Sequence, residues 1–467
     1  MTNLSLSMTE SQRQILHQHL FDKDGNEGVA IALCGHHQEG DRQRVLVQQI
    51  YLIPHNACHV RKPDLISWPT KLIVPFLEEA AKRSLSVVKF HGHANAWPFF
   101  SQTDNTSDLS LHESLSGWTV PGVFHGSAIL LQDGRIFGRW YGDDDNFHWM
   151  DRITVVGEMI EIFFGKDFSS QPSDCTQSLG LDRHAKAFGW KTTQLLQQLN
   201  IGVVGCSGIG SPVIEQLARL GVGKLVLVDP DCVEERNLNR ILNATKADAD
   251  AHRPKVQVLT EAIQKIGFGT TVIGLEASLF ERRAVLALAG CDLIFGCMDR
   301  AEGRALLNRL ATFYILPYFD LGCKIEADGN GEIQSVTTAV HYLQPGKSSL
   351  LSRGAITRET IEAEGLQRTD PDRYEELKRE KYIIGVQEER PGVISVNLAA
   401  AAFGVNEMLS RLHDFRTDGN SGFAQCRLSL SHMALYPGPE TDDCPALKRD
   451  IGRGHIEPLL DYPQLSL

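Results

Sequence analysis

Residues 201–240, IGVVGCSGIGSPVIEQLARLGVGKLVLVDPDCVEERNLNR, restrict the fold more than any other part of the chain. A short apolar run at 201–204 leads into Gly205, Gly208 and Gly210 of GCSGIG. Val213, Leu217 and Leu220 then recur at spacings of four and three, one face of a helix. A second apolar run, 224–228, ends at Asp229. Strand, glycine turn, helix, strand is the start of a nucleotide-binding βαβ unit. The glycines let the backbone approach a phosphate, and the helix N-terminus offers N–H donors and a positive dipole.

The pattern around this unit continues in kind. A helix is expected over 181–199, further strands at 271–274, 292–296 and 317–321, and helices at 281–289 and 301–314. That alternation predicts a mostly parallel, α/β sheet. Residues 356–381 read as one charged, exposed helix, and 397–412 as a packed one. The first 165 residues have a different grain. Runs at 29–33, 45–53, 85–90, 128–132 and 135–141 read as strands, the last two joined by the hairpin signal Asp133-Gly134. Residues 68–82 and 151–164 read as helices, so this part is α+β. The polar stretch 166–180 reads as a linker. The expected division is therefore 1–165, linker 166–180, 181–437 and tail 438–467, which suits a chain of 467 residues.

Composition excludes some classes of function. A formal net charge of −12 argues against a nucleic-acid binder. The N-terminus lacks a basic stretch followed by an apolar core, so no secretory signal is expected. The apolar stretch 393–409 is broken by Asn397, Asn406 and Glu407, which makes it a core helix and not a membrane span. Ten cysteines without a CxxC pair read as reduced thiols of a cytoplasmic protein.

Two constellations carry chemistry. In HGHANAWPFFSQTD, His91 and His93 end a strand and Asp104 follows. Two imidazoles and a carboxylate are three ligands of a catalytic zinc, with a fourth position for water. Glu27, just before the strand at 29–33, is the candidate base, and Ser101 can hydrogen-bond the water or an oxyanion. His-x-His, then Ser and Asp at these spacings, resembles the JAB/MPN (JAMM) metalloprotease signature over about the first 165 residues. Ala94 departs from it, since proline is usual there. The resemblance implies zinc on His91, His93 and Asp104, with Glu27 as general acid/base and Ser101 as oxyanion stabiliser. It also implies cleavage of peptide or isopeptide bonds at the C-terminus of ubiquitin-like proteins. Zinc lowers the pKa of bound water to about 7.

The second constellation decides what the nucleotide is for. Ser207 breaks the strict dinucleotide fingerprint GxGxxG, while Asp229 suits a ribose in either NAD or ATP. A hydride-transfer enzyme needs neither polyphosphate cations nor a metal, whereas an adenylyltransferase needs both. Arg240 and Lys255 can neutralise a triphosphate, and Asp299, after the strand at 292–296, can hold Mg²⁺. DPDCVEERNLNR, Lys255 and GCMDR resemble the ThiF/MoeB family and the adenylation domains of ubiquitin-activating enzymes, over about 181–412. The resemblance implies a Rossmann-like domain that cradles ATP on Gly205, Gly208 and Gly210. It implies Asp229 on the ribose, Asn237, Arg240 and Lys255 on phosphates, and Asp299 on Mg²⁺. Ile241 and Arg300 depart from the family, where Gln and Asn are usual. Cys323 and Cys444 are the candidate thioester nucleophiles, and the absence of CxxC pairs predicts no second zinc.

Together the resemblances imply an enzyme that adenylates the C-terminus of a ubiquitin-like protein and also processes that C-terminus or deconjugates it. A homodimer is expected, and a conjugating enzyme is a further candidate partner. Two alternatives stay open: a sulfur-carrier adenylyltransferase for cofactor or cysteine synthesis, and a catalytically dead metal domain that only docks the partner.

Overall fold

The computed structural model describes all residues except 1–2, 41, 94–96, 98, 120–121, 143, 145, 166–180, 329, 381, 384–391 and 467. Ala94 and the expected linker at 166–180 thus lie outside the described residues. The chain forms two compact units. One is Met1–Ser173 with Phe313–Ile315 and Asp450–Ile456; the other is Asp174–Thr312 with Leu316–Arg449 and Glu457–Leu467.

The first unit runs β1 (Asn3–Thr9), α1 (Glu10–Leu20), β2 (Val29–Glu39), β3 (Arg42–Leu52), β4 (Val60–Lys62), β5 (Leu65–Ser67), α2 (Val74–Arg83), β6 (Ser86–His93), α3 (Gln102–Ser116), β7 (Gly126–Leu131), β8 (Ile136–Tyr141), β9 (Phe147–Trp149), β10 (Arg152–Val156) and β11 (Ile160–Phe164). Nine strands make one sheet, ordered β11-β10-β1-β3-β2-β6-β7-β8-β9. Successive side chains of a strand face opposite ways. Ala30, Ala32, Val88 and Phe90 therefore pack with Leu16 and Leu20 of α1 on one face. Val29, Ile31, Leu33 and Val87 pack on the other with Leu77 of α2 and Leu111 and Leu115 of α3. His91 shares the parity of Val87, which brings it to the α3 side.

Residues 151–164 correct the sequence reading: they form the antiparallel pair β10–β11, not a helix. Their apolar spacing fits a helix face, but RITVV and IEIFF are rich in β-branched and aromatic residues. Pairing with β1, Ser5 to Arg152 and Met8 to Val155, supplies the backbone partners that a strand needs. Gly452 and Gly454, far along the chain, belong to this unit. Methyl groups on them would collide with the backbone of Val47 and His36.

The second unit runs α4 (Asp182–Gln198), β12 (Asn200–Val204), α5 (Gly210–Arg219), β13 (Lys224–Val228), α6 (Lys246–Asp250), α7 (Lys255–Ile266), β14 (Thr271–Leu275), α8 (Arg282–Ala289), β15 (Leu293–Gly296), α9 (Ala301–Phe313), β16 (Tyr318–Ala327), β17 (Ile333–Leu343), α10 (Arg358–Thr369), α11 (Pro371–Arg379), α12 (Ile394–Leu412), β18 (Gln425–Ser429) and β19 (Ala434–Gly438). Its sheet is ordered β14-β13-β12-β15-β16-β17-β18-β19. The first five strands are parallel, as the alternation predicts, and β17, β18 and β19 extend the sheet antiparallel. The charged stretch 356–381 holds two helices rather than one. Pro371 cannot continue α10, and Asp370 caps α11 by accepting from the Arg373 N–H at 3.1 Å. Nor is the stretch only a solvated face, because Glu364 is buried and its Oε2 accepts from the backbone N–H of Glu302 at 2.8 Å.

Candidate functional site

In the second unit the glycine turn joins β12 to α5. Gly205 adopts φ +89°, and its N–H donates to the Val228 carbonyl at 2.9 Å. A Cβ on Gly205 would stand 2.7 Å from the Cys297 carbonyl oxygen, so the loop after β15 lies against the turn. A Cβ on Gly210 would collide with the Gly205 carbonyl, and one on Gly208 with Nδ2 of Asn397 from α12. The three glycines leave backbone where side chains would stand, which fits a loop that receives phosphates.

Asp229 directly follows β13 and is buried. Its Oδ2 accepts from Cys206 N–H at 2.6 Å and its Oδ1 from Asp231 N–H at 2.9 Å. Lys255, the first residue of α7, is equally buried; its Nζ lies 2.7 Å from Asp231 Oδ2 and 3.8 Å from Asp229 Oδ1. Burial pushes the Asp229 pKa above the ordinary carboxylate value, against the opposing pull of Lys255 and the two N–H donors. Arg240 runs its Cδ within 3.3 Å of a Gly208 Cβ position and donates from Nη1 to the Arg236 carbonyl and Asn239 Oδ1. Asp299 is exposed on the loop whose Cys297 abuts Gly205. Asn237 is turned back to the backbone of Glu234, its Oδ1 accepting from the Glu234 N–H at 3.3 Å.

Two groups here escaped the sequence reading. Asn397 bridges the turn and a candidate nucleophile, since Cys323 Sγ donates to its Oδ1 at 3.1 Å. Arg304 of α9 holds the fully buried Asp320 of β16 with two hydrogen bonds, at 2.9 and 2.6 Å, and Tyr318 OH adds a third at 2.8 Å. Of the two candidate thiols, Cys323 is half-buried and Cys444 buried.

In the first unit, β6 and α3 bring His91, His93 and Asp104 together, with their ligand atoms all within 4.8 Å of one another. His91 Nε2 lies 3.2 Å from His93 Nε2 and 3.2 Å from Asp104 Oδ1; His93 Nε2 lies 3.7 Å from Asp104 Oδ2. Tetrahedral donors at zinc bond lengths stand about 3.3 Å apart, so the cluster has the dimensions of a zinc site. His93 Nδ1 lies 2.8 Å from the Trp97 carbonyl. Donation to that oxygen leaves its Nε2 lone pair free. Ser101 caps α3: its Oγ accepts from Asp104 N–H at 3.1 Å, and its own N–H donates to Asp104 Oδ2 at 2.7 Å. The capping box thus fixes the Asp104 carboxylate, a task that the sequence reading did not give Ser101.

Burial works to raise the Asp104 pKa, but hydrogen bonds to His91, His93 and Ser101 hold it far below the usual range. Glu27 is buried two residues before Val29, which pairs with His91. Burial pushes its carboxyl up to about 7, and the Asp104 charge adds to the rise while His93 and Lys89 oppose it.

Residues 181–404 match the ThiF family. Adenylyltransferase and sulfurtransferase UBA4 of Meyerozyma guilliermondii is 33% identical over 185 residues, 37% of this chain and 43% of that protein. Ubiquitin-like modifier-activating enzyme 5 of Culex quinquefasciatus is 28% identical over 193 residues, 38% of this chain and 46% of that protein. The chain therefore spans less than half the length of these relatives. The crystal structure of E. coli MccB with ATP aligns at TM-score 0.43 and 16% identity, covering 59% of this chain and 75% of that one. No helix among the described residues is long and apolar enough to cross a membrane. Residues 181–404 of this chain are a ThiF-family domain.

Proposed function

We propose that the second unit adenylates the C-terminal carboxylate of a ubiquitin-like protein, and that the first is a JAB/MPN-type zinc peptidase or isopeptidase acting on the same C-terminus. The observation that carries the first half is the glycine turn walled by Arg240, Asn397 and the Asp299 loop, within a ThiF-family domain. A carboxylate oxygen of the partner attacks the α-phosphorus of ATP, the bond to the β-phosphate oxygen breaks, and pyrophosphate leaves. Arg240 and Lys255 neutralise the triphosphate, Asp229 takes the ribose, and Asp299 would hold Mg²⁺.

The hydrolase half rests on the zinc-sized spacing of His91, His93 and Asp104. A bound zinc would supply an acidified water there. Glu27, with a carboxyl near 7, is able to take a proton at neutral pH and return it to a leaving amine.

The names of the relatives favour a second reading as well. One is an adenylyltransferase and sulfurtransferase, so the partner of this chain is alternatively a sulfur carrier. The test is ATP–pyrophosphate exchange with candidate partners, together with metal analysis of the purified chain. Exchange should require the partner and vanish in Asp299→Ala and Arg240→Ala. About one zinc per chain should be lost on His91→Ala. Undiminished exchange in both variants would reject the first half, and a zinc-free chain under reducing conditions the second.

A further inference from the structure

Beneath the His91–His93–Asp104 cluster lies an ion network that no step above uses. Lys89 stands two residues before His91 on the same face of β6, and Asp108 one helical turn beyond Asp104 on α3. Asp108 is fully buried, and Lys89 and Arg139 nearly so. Ser127 Oγ and Arg139 Nη2 donate to Asp108 Oδ2 at 2.5 and 2.7 Å, while Lys89 Nζ forms an ion pair with Oδ1. Arg139 is pinned between the faces of Phe100 and Phe147, its guanidinium carbon 3.7 and 3.9 Å from their centres.

A salt bridge serving the fold alone leaves one fact unexplained. His91 Nδ1 is buried with no hydrogen-bond partner among the described residues. An unsatisfied buried polar atom costs about 1–3 kcal/mol. Asp108 Oδ1 has the Lys89 ammonium as its partner, and a carboxylate oxygen with two lone pairs has room for a further donor. The two groups also face each other electrostatically, His91 being among the charges that act on Asp108. When Nε2 of a histidine takes a metal, its proton must sit on Nδ1, and a carboxylate is a common acceptor for it. Asp104 is already committed on the ligand side, and Asp108 is the next carboxylate along the same face of α3.

We propose that Asp108 is the positioning residue of the metal centre, accepting the Nδ1 proton of His91, directly or through one water, and so orienting Nε2 toward the metal. Lys89 and Arg139 keep Asp108 ionised and in place, which makes it a strong acceptor. The inference rests on the zinc reading of the first unit.

The test uses the full chain and zinc alone. Zinc affinity, measured by competition with a chromophoric chelator, should fall about 10–100-fold in Asp108→Asn, and the visible bands of the cobalt-loaded chain should shift. A parent chain that takes up no zinc overturns both the metal reading and this proposal. A parent that binds zinc, with Asp108→Asn binding as tightly and giving the same cobalt spectrum, overturns the proposal alone. Asp108→Asn leaves two buried cations facing an amide, so a readout independent of the variant is needed. In the zinc-loaded parent labelled with ¹⁵N-histidine, the His91 Nδ1 proton should be shifted downfield and exchange slowly with water. A rapidly exchanging proton at an ordinary shift overturns the proposal even if Asp108→Asn does not fold.

Discussion

Lys255→Met tests whether Asp229 depends on a single buried cation. The exposed partner Asp231 contributes little, because its side chain is 66% accessible and such pairs contribute about 0–1 kcal/mol. The loss falls on Asp229. Removing one partner of a buried ion pair costs about 3–5 kcal/mol. The low end applies here, since the N–H groups of Cys206 and Asp231 stay in place and Nζ is 3.8 Å away, beyond hydrogen-bond distance. At a urea dependence of about 3 kcal/mol/M, a loss of about 3 kcal/mol moves the unfolding midpoint of the second unit down by about 1 M.

The pH dependence identifies the cause. The Asp229 carboxyl is raised in the folded chain, and losing Lys255 raises it further. A carboxyl whose folded pKa lies above its unfolded value binds more protons folded than unfolded. It therefore costs stability as pH climbs from the unfolded pKa, about 4, through the folded one. The gap between Lys255→Met and parent should be full at pH 8 and narrow toward pH 5. Urea titrations at the two pH values, followed by far-ultraviolet dichroism, measure it. A gap of equal size at both values, or no gap, would refute the argument.

Gly210→Ala would drive a methyl into the Gly205 carbonyl and open the turn. ATP-dependent pyrophosphate exchange should be lost, while zinc uptake by the first unit is unchanged. Arg304→Met strands the fully buried Asp320 with only Tyr318 OH among its described hydrogen-bond partners, and thermal unfolding should show a loss of about 3–5 kcal/mol.

How much was legible in the chain depended on how locally each feature is specified. The βαβ core around Gly205 was readable, because a glycine turn between an apolar run and a helix face is chemistry within a few residues. The cluster of His91, His93 and Asp104 was readable for the same reason: a strand end and a capped helix start hold all three within fourteen consecutive residues. Residues 151–164 misled, since a short apolar pattern fits two periods and only the neighbouring strand β1 decides between them. Strand β17 escaped notice because it is half-exposed along much of its length and so lacks an apolar run.

The sequence by itself determined a glycine turn, a close grouping of two histidines and an aspartate, and the parallel order of the strands around Gly205. Tertiary structure decided what surrounds each. Asn397 reaches the Gly208 turn from α12, Cys297 closes on Gly205 from the loop after β15, and Lys89, Asp108 and Arg139 meet under His91 from β6, α3 and β8. Periodicity and turn chemistry act over a few residues and leave a mark in the order of amino acids. Burial and the partner of a buried charge are set by where distant segments return, and a lone Lys89 in an apolar strand reads as a fault until Asp108 is seen beside it.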